Sequence, residues 1–365
     1  MSEAVRRHYE RYPYPRYPLL ASVRVCDTYA LNLTVLWACF NGELPPAGAR
    51  RILIAGCGSF APYPFAVANP DSSITALDLS GKSLRRARLH CLLHGRGNVH
   101  FQTGDLLDPA VASGPFGLID GYGVIHHLDD PFAGLKSLTG RLASGGIMRV
   151  MLYSRYARRE EESIRRALRL LDIRTTAGLR ELVGRSATGS RLRSYIESAS
   201  EAGFEAGLAD ALLHPCVHTF RIDEIVEMVG QCGLELLRFA HHGALDDVGS
   251  EVERIRRMEG DRCSPGNFLF YLGRPHEGRS RDMEDALLML NPCLRGVVGG
   301  LHLRPVDVSP RLGVANPQLG SRERHFLGKF RTPAAYTTLT AEDRIMAQEF
   351  ISSLFLIPYR ERNGE

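Results

Sequence analysis

The chain has 365 residues, 44% of them hydrophobic, a formal net charge of +4 and eight cysteines. That length and apolar content predict a globular protein of two or three units, and the near balance of 45 basic and 41 acidic residues leaves no strong footprint for nucleic acid. No apolar run of roughly eighteen residues marks a membrane span, the N-terminus lacks the apolar core of a signal peptide, and the cysteines form no CxxC pair, which reads as free thiols in the cytoplasm.

The opening segment "ERYPYPRYP" interleaves Tyr9, Tyr12, Tyr14 and Tyr17 with Arg16 and with Pro13, Pro15 and Pro18. Proline fixes φ and pushes its predecessor toward extended backbone, so the tyrosines are expected in a strap rather than on a helical stripe. Such a strap either covers a core edge or carries Tyr14 and Arg16 over a ligand as a lid. A helix over 23–41 follows, ended by "GELPPAG".

From residue 51 apolar runs alternate with helical stretches, the pattern of a parallel sheet with crossover helices. Strands are predicted at 51–55, 73–77, 99–102, 117–120 and 146–152, with helices over 82–93 and 131–142; "GLELLRF" and "NFLFYLGRP" complete seven strands. The fold class is α/β, a Rossmann-like doubly wound sheet. Residues 153–229 are helical without strand character, and the charges of "RYARREEESIRRALRLL" read as a solvated helix face. After the linker "RPHEGRSRD" a C-terminal unit ends in an amphipathic helix capped by Thr340. The expected division is an N-terminal strap and helix at 1–45, a main domain at 46–275 with a helical lid insertion at about 155–230, and a small helical or winged-helix-like module at 276–365.

"RILIAGCGSFAPYPFA" holds the sharpest chemical signal. Gly56, Gly58 and Ala61 satisfy G-x-G-x-x-A after a strand, and Asp78 stands twenty residues beyond Gly58 at the next strand's end. Glycines there let backbone approach a ligand, and the acid takes ribose hydroxyls. The pattern suits a nicotinamide dinucleotide and an adenosylmethionine alike, or a tight turn with no ligand. Asp105 in "FQTGDLLDP" favours the adenosyl ligand if it accepts from an adenine amino group; it would also serve as a helix cap.

Together, "ILIAGCGS", "ITALDLSGKSLRRAR", "FQTGDLLD", "GYGVIHHLDDPFAGLKSL" and "GGIMRVMLYSRYAR" resemble class I S-adenosylmethionine-dependent methyltransferases, most closely a bacterial group often fused to tetratricopeptide repeats. The likeness takes in "ERYPYPRYP" and "LLHPCVHTFRIDEIVEMVGQCGLELLRF", roughly residues 9–273, and leaves the C-terminal ninety residues unmatched. It implies S-adenosyl-L-methionine as cofactor and no metal. Gly56, Cys57 and Gly58 would form the cofactor turn, Asp78 with Leu79 the ribose site, Asp105 with Leu106 the adenine site, and Gly121 with Tyr122 the methionine end. Phe60 stands where the group has glycine, and either packs beneath the following helix or crowds the cofactor.

His126 and His127 close the fourth strand, as a candidate base or as a backbone-bonded junction. Tyr12, Tyr14, Arg16, Tyr17 and Tyr153 are candidate walls of an acceptor pocket. The function implied is in-line methyl transfer to a small-molecule acceptor, with no nucleic-acid or membrane partner and a protein partner conceivable at the C-terminal module. An NAD(P)-dependent oxidoreductase and a non-catalytic adapter with a degenerate loop are the alternatives.

Overall fold

The computed structural model describes residues 3–199, 203–274 and 283–361; most of the expected linker, 275–282, lies outside the described residues. Seven strands form the central sheet: β1 (Arg51–Ala55), β2 (Ser73–Asp78), β3 (Val99–Thr103), β4 (Phe116–Tyr122), β5 (Leu142–Leu152), β6 (Glu235–Phe239) and β7 (Phe268–Gly273). Their order is β3-β2-β1-β4-β5-β7-β6. The first five are parallel, and β7 runs antiparallel between β5 and β6. The predicted strands all form.

The pleat sends alternate side chains to opposite faces, and the sheet buries both. Ile52, Ile54, Ile74, Ala76, Leu118 and Ile147 enter one apolar cluster; Leu53, Ala55, Leu77, Ile119, Met148 and Val150 enter the other. Around the sheet lie α1 (Glu3–Arg11), α2 (Leu33–Asn41), α3 (Pro62–Ala68), α4 (Gly81–Leu93) and α5 (Pro131–Thr139). Ser80 caps α4 by accepting from the Ser83 amide, and Asp130 caps α5 with Pro131 in its first turn.

Two local expectations change. The helix over 23–41 splits into a 3-10 segment, Val25–Leu31, and α2, because Asn32 is extended and its side chain accepts from the Val35 amide to cap the second piece. Tyr9 sits in α1 rather than in the strap, since the first proline of the segment is Pro13, beyond the helix end at Arg11.

The insertion comprises α6 (Arg159–Leu170), α7 (Thr176–Arg185), α8 (Arg191–Ser198) and α9 (Glu205–Leu213), with an apolar cluster of its own around Ile164, Leu168, Leu179 and Leu212. The charges of α6 are not all solvated. Arg165 is only 4% exposed, its Nε donating to the Ala211 carbonyl at 2.7 Å and its Nη1 meeting Glu162. Next come α10 (Ile222–Gln231) and α11 (Val248–Gly260), on the side of the sheet facing α5.

The C-terminal part is a mixed unit: β8 (Leu287–Leu290), α12 (Arg295–Gly299), α13 (Ser321–Gly328), β9 (Ala334–Ala335), α14 (Ala341–Ser352) and β10 (Leu356–Tyr359), its strands forming an antiparallel sheet in the order β10-β8-β9. Leu288, Phe350, Phe355 and Leu356 share one apolar cluster with Tyr29, Trp37 and the sheet residues Ile52 and Ile54. The buried Asn291 donates to the carbonyls of Tyr29 and Leu354 at 3.2 and 2.8 Å, and Arg360 N donates to Gly42 O at 2.8 Å. Among the described residues no helix is long and apolar enough to cross a membrane.

Candidate active site

The order of the sheet reverses between β1 and β4, and the carboxyl ends of strands at such a reversal leave a crevice. A cavity of about 480 Å³ lies there, walled by Gly56, Cys57, Gly58, Asp78, Leu79 and Tyr122 among others. Gly56 and Gly58 have φ of 62° and 57°, where a side chain is strained. A Cβ on Gly56 would overlap the Val124 side chain, and one on Gly58 would come within 2.6 Å of the Tyr14 carbonyl oxygen. The loop therefore needs both glycines for reasons of backbone and neighbours together.

Asp78 braces this loop. Its Oδ2 accepts from the Gly58 amide at 2.8 Å and its Oδ1 from the Ser80 amide at 2.8 Å. Burial pushes its pKa up to about 6, against the pull of those amides toward the charged form.

The N-terminal segment roofs the cavity. Ser59 N donates to the Tyr14 carbonyl at 3.2 Å and Ser59 Oγ to the Pro15 carbonyl. The Tyr17 ring lies 4.4 Å from that of Phe60, and Arg86 donates to the Tyr17 carbonyl. Phe60, the departure from the glycine pattern, thus faces the cavity while also packing on Tyr17, Tyr63 and His90. In α1, Glu10 accepts from Ser80 Oγ and Lys82 N, both at 3.1 Å, tying the helix to the start of α4. One position earlier, Tyr9 reaches the insertion and donates to Asp210 Oδ1 at 3.0 Å.

The structure brings some of the predicted residues to the cavity and not others. Tyr14, Tyr17, Tyr153 and His127 line it. His126 does not: it is fully buried, with its ring 3.8 Å from that of Tyr153, over which the Arg158 guanidinium also lies at 4.1 Å. Tyr12 packs instead on Ala206 and Ala209, and Arg16 is exposed beyond the lining. Asp105, Leu106 and Gly121 also stand outside it. The Asp105 carboxylate accepts from the Leu107 amide at 2.9 Å, closing a local turn, and Leu106 is buried in the core. His127 Nδ1 is 2.9 Å from the Cys216 carbonyl, so its proton sits on Nδ1, and burial depresses its pKa to about 3.

Sequence reasoning missed Tyr9 as a lining residue outside the strap, and Asp120, Arg149, Arg158 and Asp210. Arg149 Nε lies 2.6 Å from Asp120 Oδ1, and these residues are register partners on β5 and β4. A charged residue inside each of two apolar strands, "GLIDGY" and "GIMRVML", is a readable signal, because a buried charge requires a partner. Asp210, inside the apolar helix "EAGLADALL", carried the same signal. The cavity wall carries the carboxylates of Asp78, Asp120 and Asp210 and the guanidiniums of Arg149 and Arg158, an excess of one negative charge. That surplus suits a sulfonium ligand, and the open backbone at Gly56–Gly58 beside the Asp78 carboxylate suits a nucleoside.

Residues 53–148 match the family model of a methyltransferase domain. With the sheet order and this site, they define a class I S-adenosylmethionine-dependent methyltransferase. The antiparallel β7 departs from the 3-2-1-4-5-6 order of dinucleotide folds, and the oxidoreductase and adapter alternatives are set aside. Within that class the chain belongs to the family of an uncharacterized protein from Synechococcus sp., 31% identical over 341 residues that span 85% of this chain and 82% of the relative. An uncharacterized phycocyanin operon protein W from Pseudanabaena tenuis is 32% identical over 91 residues, 25% of this chain and 86% of its own length. Among solved structures, PKMT2 from Rickettsia typhi in complex with AdoHcy shares the fold at a TM-score of 0.55 and 15% identity, over 94% of this chain and 77% of that one.

Proposed function

We propose that the enzyme methylates a small acceptor that has a proton to lose, bound under the roof made by α1, the strap and α9. The observation that carries this reading is the Tyr9–Asp210 hydrogen bond on the wall of the covered cavity. A cavity of about 480 Å³ lies in the lower half of the usual range for ligand pockets, which suits a cofactor with a compact acceptor. Tyr9, Tyr14, Tyr17, Tyr122 and Tyr153 on its walls suit an acceptor with an apolar body. The resemblance of "ERYPYPRYP" to the aromatic segment of the bacterial group often fused to tetratricopeptide repeats supports the same placement of the roof.

Bound adenosylmethionine supplies a methyl carbon activated for in-line displacement. The Gly56–Gly58 backbone, Asp78 and Leu79 would hold its nucleoside, and Tyr122 would border its amino-acid end. Asp210 takes the acceptor proton: burial raises its pKa above the ordinary aspartate value, which makes it a stronger base than a surface carboxylate. Tyr9 orients that carboxylate. His127, held neutral, offers its Nε2 lone pair to an acceptor hydroxyl or amine and positions it without becoming the base. His126 braces the Tyr153 ring.

The test is label transfer from methyl-labelled adenosylmethionine into an extract of the source cells. Label in the dialysable fraction that disappears with Asp210→Asn supports the proposal. Label confined to protein or nucleic acid overturns the small acceptor, and undiminished transfer by Asp210→Asn overturns the base.

A further inference from the structure

A second cavity, of about 540 Å³, lies on the far side of the roof, between α1, α6 and α9. Its wall carries Arg7, Arg11, Arg165, Arg169 and Arg174, and no aspartate or glutamate. Three of these arginines have acidic partners nearby: Glu3 for Arg7 at 3.5 Å, Glu162 for Arg165 at 2.7 Å and Asp172 for Arg174 at 2.6 Å. Arg11 and Arg169 have none among the described residues.

Four residues of the same wall each hold a buried side-chain atom with no hydrogen-bond partner: His8 Nε2, Tyr12 Oη, Arg165 Nη2 and His214 Nε2. The residues are 9%, 8%, 4% and 7% exposed. Leaving one such group unsatisfied is costly, and four around one space call for a common explanation. Arg165 Nη2 can only donate. His214 is fixed as a donor as well, because its Nδ1 accepts from the Cys216 amide at 3.2 Å, which leaves the proton of the neutral ring on Nε2. The Tyr12 hydroxyl is free to donate.

His8, Asp210 and His214 also bring one ligand atom each within 4.8 Å of one another, as a metal centre would. The proton placement on His214 opposes that use, since one ring nitrogen is engaged by the Cys216 amide and the other carries hydrogen. Asp210 is already bonded to Tyr9 and feels the positive charge of Arg165 and Arg158. A set of buried donors among arginines fits an oxyanion instead.

We propose that this cavity is a binding site for the carboxylate or phosphate group of a small ligand, with Arg165, His214 and Tyr12 as its inner donors, His8 beside them, and Arg11 and Arg169 at its mouth. Half of these groups come from the N-terminal segment and half from the insertion, so the bound anion pins α1 to α6 and α9. Because α1 also carries Tyr9 to the active site and Glu10 to the start of α4, filling this cavity tightens the roof over the cofactor and raises its affinity.

Calorimetry on the full chain, with inorganic phosphate and with malonate as probes at constant ionic strength set by chloride, tests the site. At least one probe should bind saturably with one site per chain, and the stronger of the two tells phosphate from carboxylate. Arg11→Ala combined with Arg169→Ala, both exposed, should weaken that binding by about tenfold or more and leave the melting temperature without the probe unchanged. Hydrogen exchange in α1 should slow when the probe is added. Absence of saturable binding by both probes, or binding that the double variant leaves intact, overturns the proposal. So does stoichiometric zinc binding that is lost in His214→Gln and is not displaced by either anion.

Discussion

The phenol of Tyr9 in α1 donates to Oδ1 of Asp210 in α9 across 3.0 Å, joining residues 201 positions apart. Both line the cavity at the sheet's switch point, so one hydrogen bond links the N-terminal helix, the insertion and that cavity.

Replacing Tyr9 by Phe removes that donor and leaves the Asp210 carboxylate buried with less support. The expected cost is about 1–3 kcal/mol, read by chemical denaturation, with faster hydrogen exchange in α1. Unchanged exchange would mean that the packing of His8 and Tyr12, not the hydrogen bond, seats the helix.

Asp78 makes cofactor affinity depend on pH. Its pKa of about 6 in the folded protein lies above the ordinary 3.8, so the folded state holds the proton more tightly than the unfolded state. Its contribution to stability is therefore fully present below about pH 4 and lost as pH rises through about 6. In the proposed ribose role cofactor binding runs the other way, because ribose hydroxyls would donate to the carboxylate. Calorimetry should show adenosylmethionine affinity rising as pH passes about 6 and then levelling. Asp78→Asn should abolish that rise and cost on the order of ten- to a hundredfold in affinity, the loss of hydrogen bonds to a charged group.

Gly58→Ala tests the contact between the strap and the cofactor loop. The left-handed backbone costs a side chain about 1–2 kcal/mol, and the new Cβ meets the Tyr14 carbonyl oxygen at 2.6 Å. The variant should lose cofactor affinity, and amide exchange in residues 12–18 should rise. If exchange there is unaltered while affinity falls, the loop acts on the cofactor without the strap.

Phe355→Ala should melt both parts of the protein together. Phe355 is completely buried, its ring 5.3 Å from that of Tyr29 and perpendicular to it, in the apolar cluster that also holds sheet residues. Truncating it should cost about 3–5 kcal/mol and lower a single calorimetric transition. Two resolved transitions would show that the C-terminal part unfolds on its own.

The amino-acid sequence alone determined the seven strands, the glycine turn and the acid that braces it, because each rests on interactions within a few residues. Apolar runs declare buried strands, Gly56 and Gly58 declare a backbone that side chains cannot follow, and Asp78 follows at the fixed interval of one strand–helix–strand unit. The pair Asp120 and Arg149 was half legible: two charges inside apolar strands announce partners, but only the β4–β5 register makes them each other's. Tertiary structure decided the rest. His126 and His127 are adjacent in sequence, yet the turn after β4 sends one ring behind Tyr153 and the other into the cavity. Asp210, one charge inside the apolar helix "EAGLADALL", announces a partner as Asp120 does, but only the packing of α1 against the insertion makes that partner Tyr9, 201 positions away; Arg165, one of many charges in α6, becomes a buried donor only where α6 meets α9. The C-terminal part likewise showed a linker and a capped helix in sequence, while its union with the main domain depends on an apolar face of α2 that is complete only when Phe355 and its neighbours cover it.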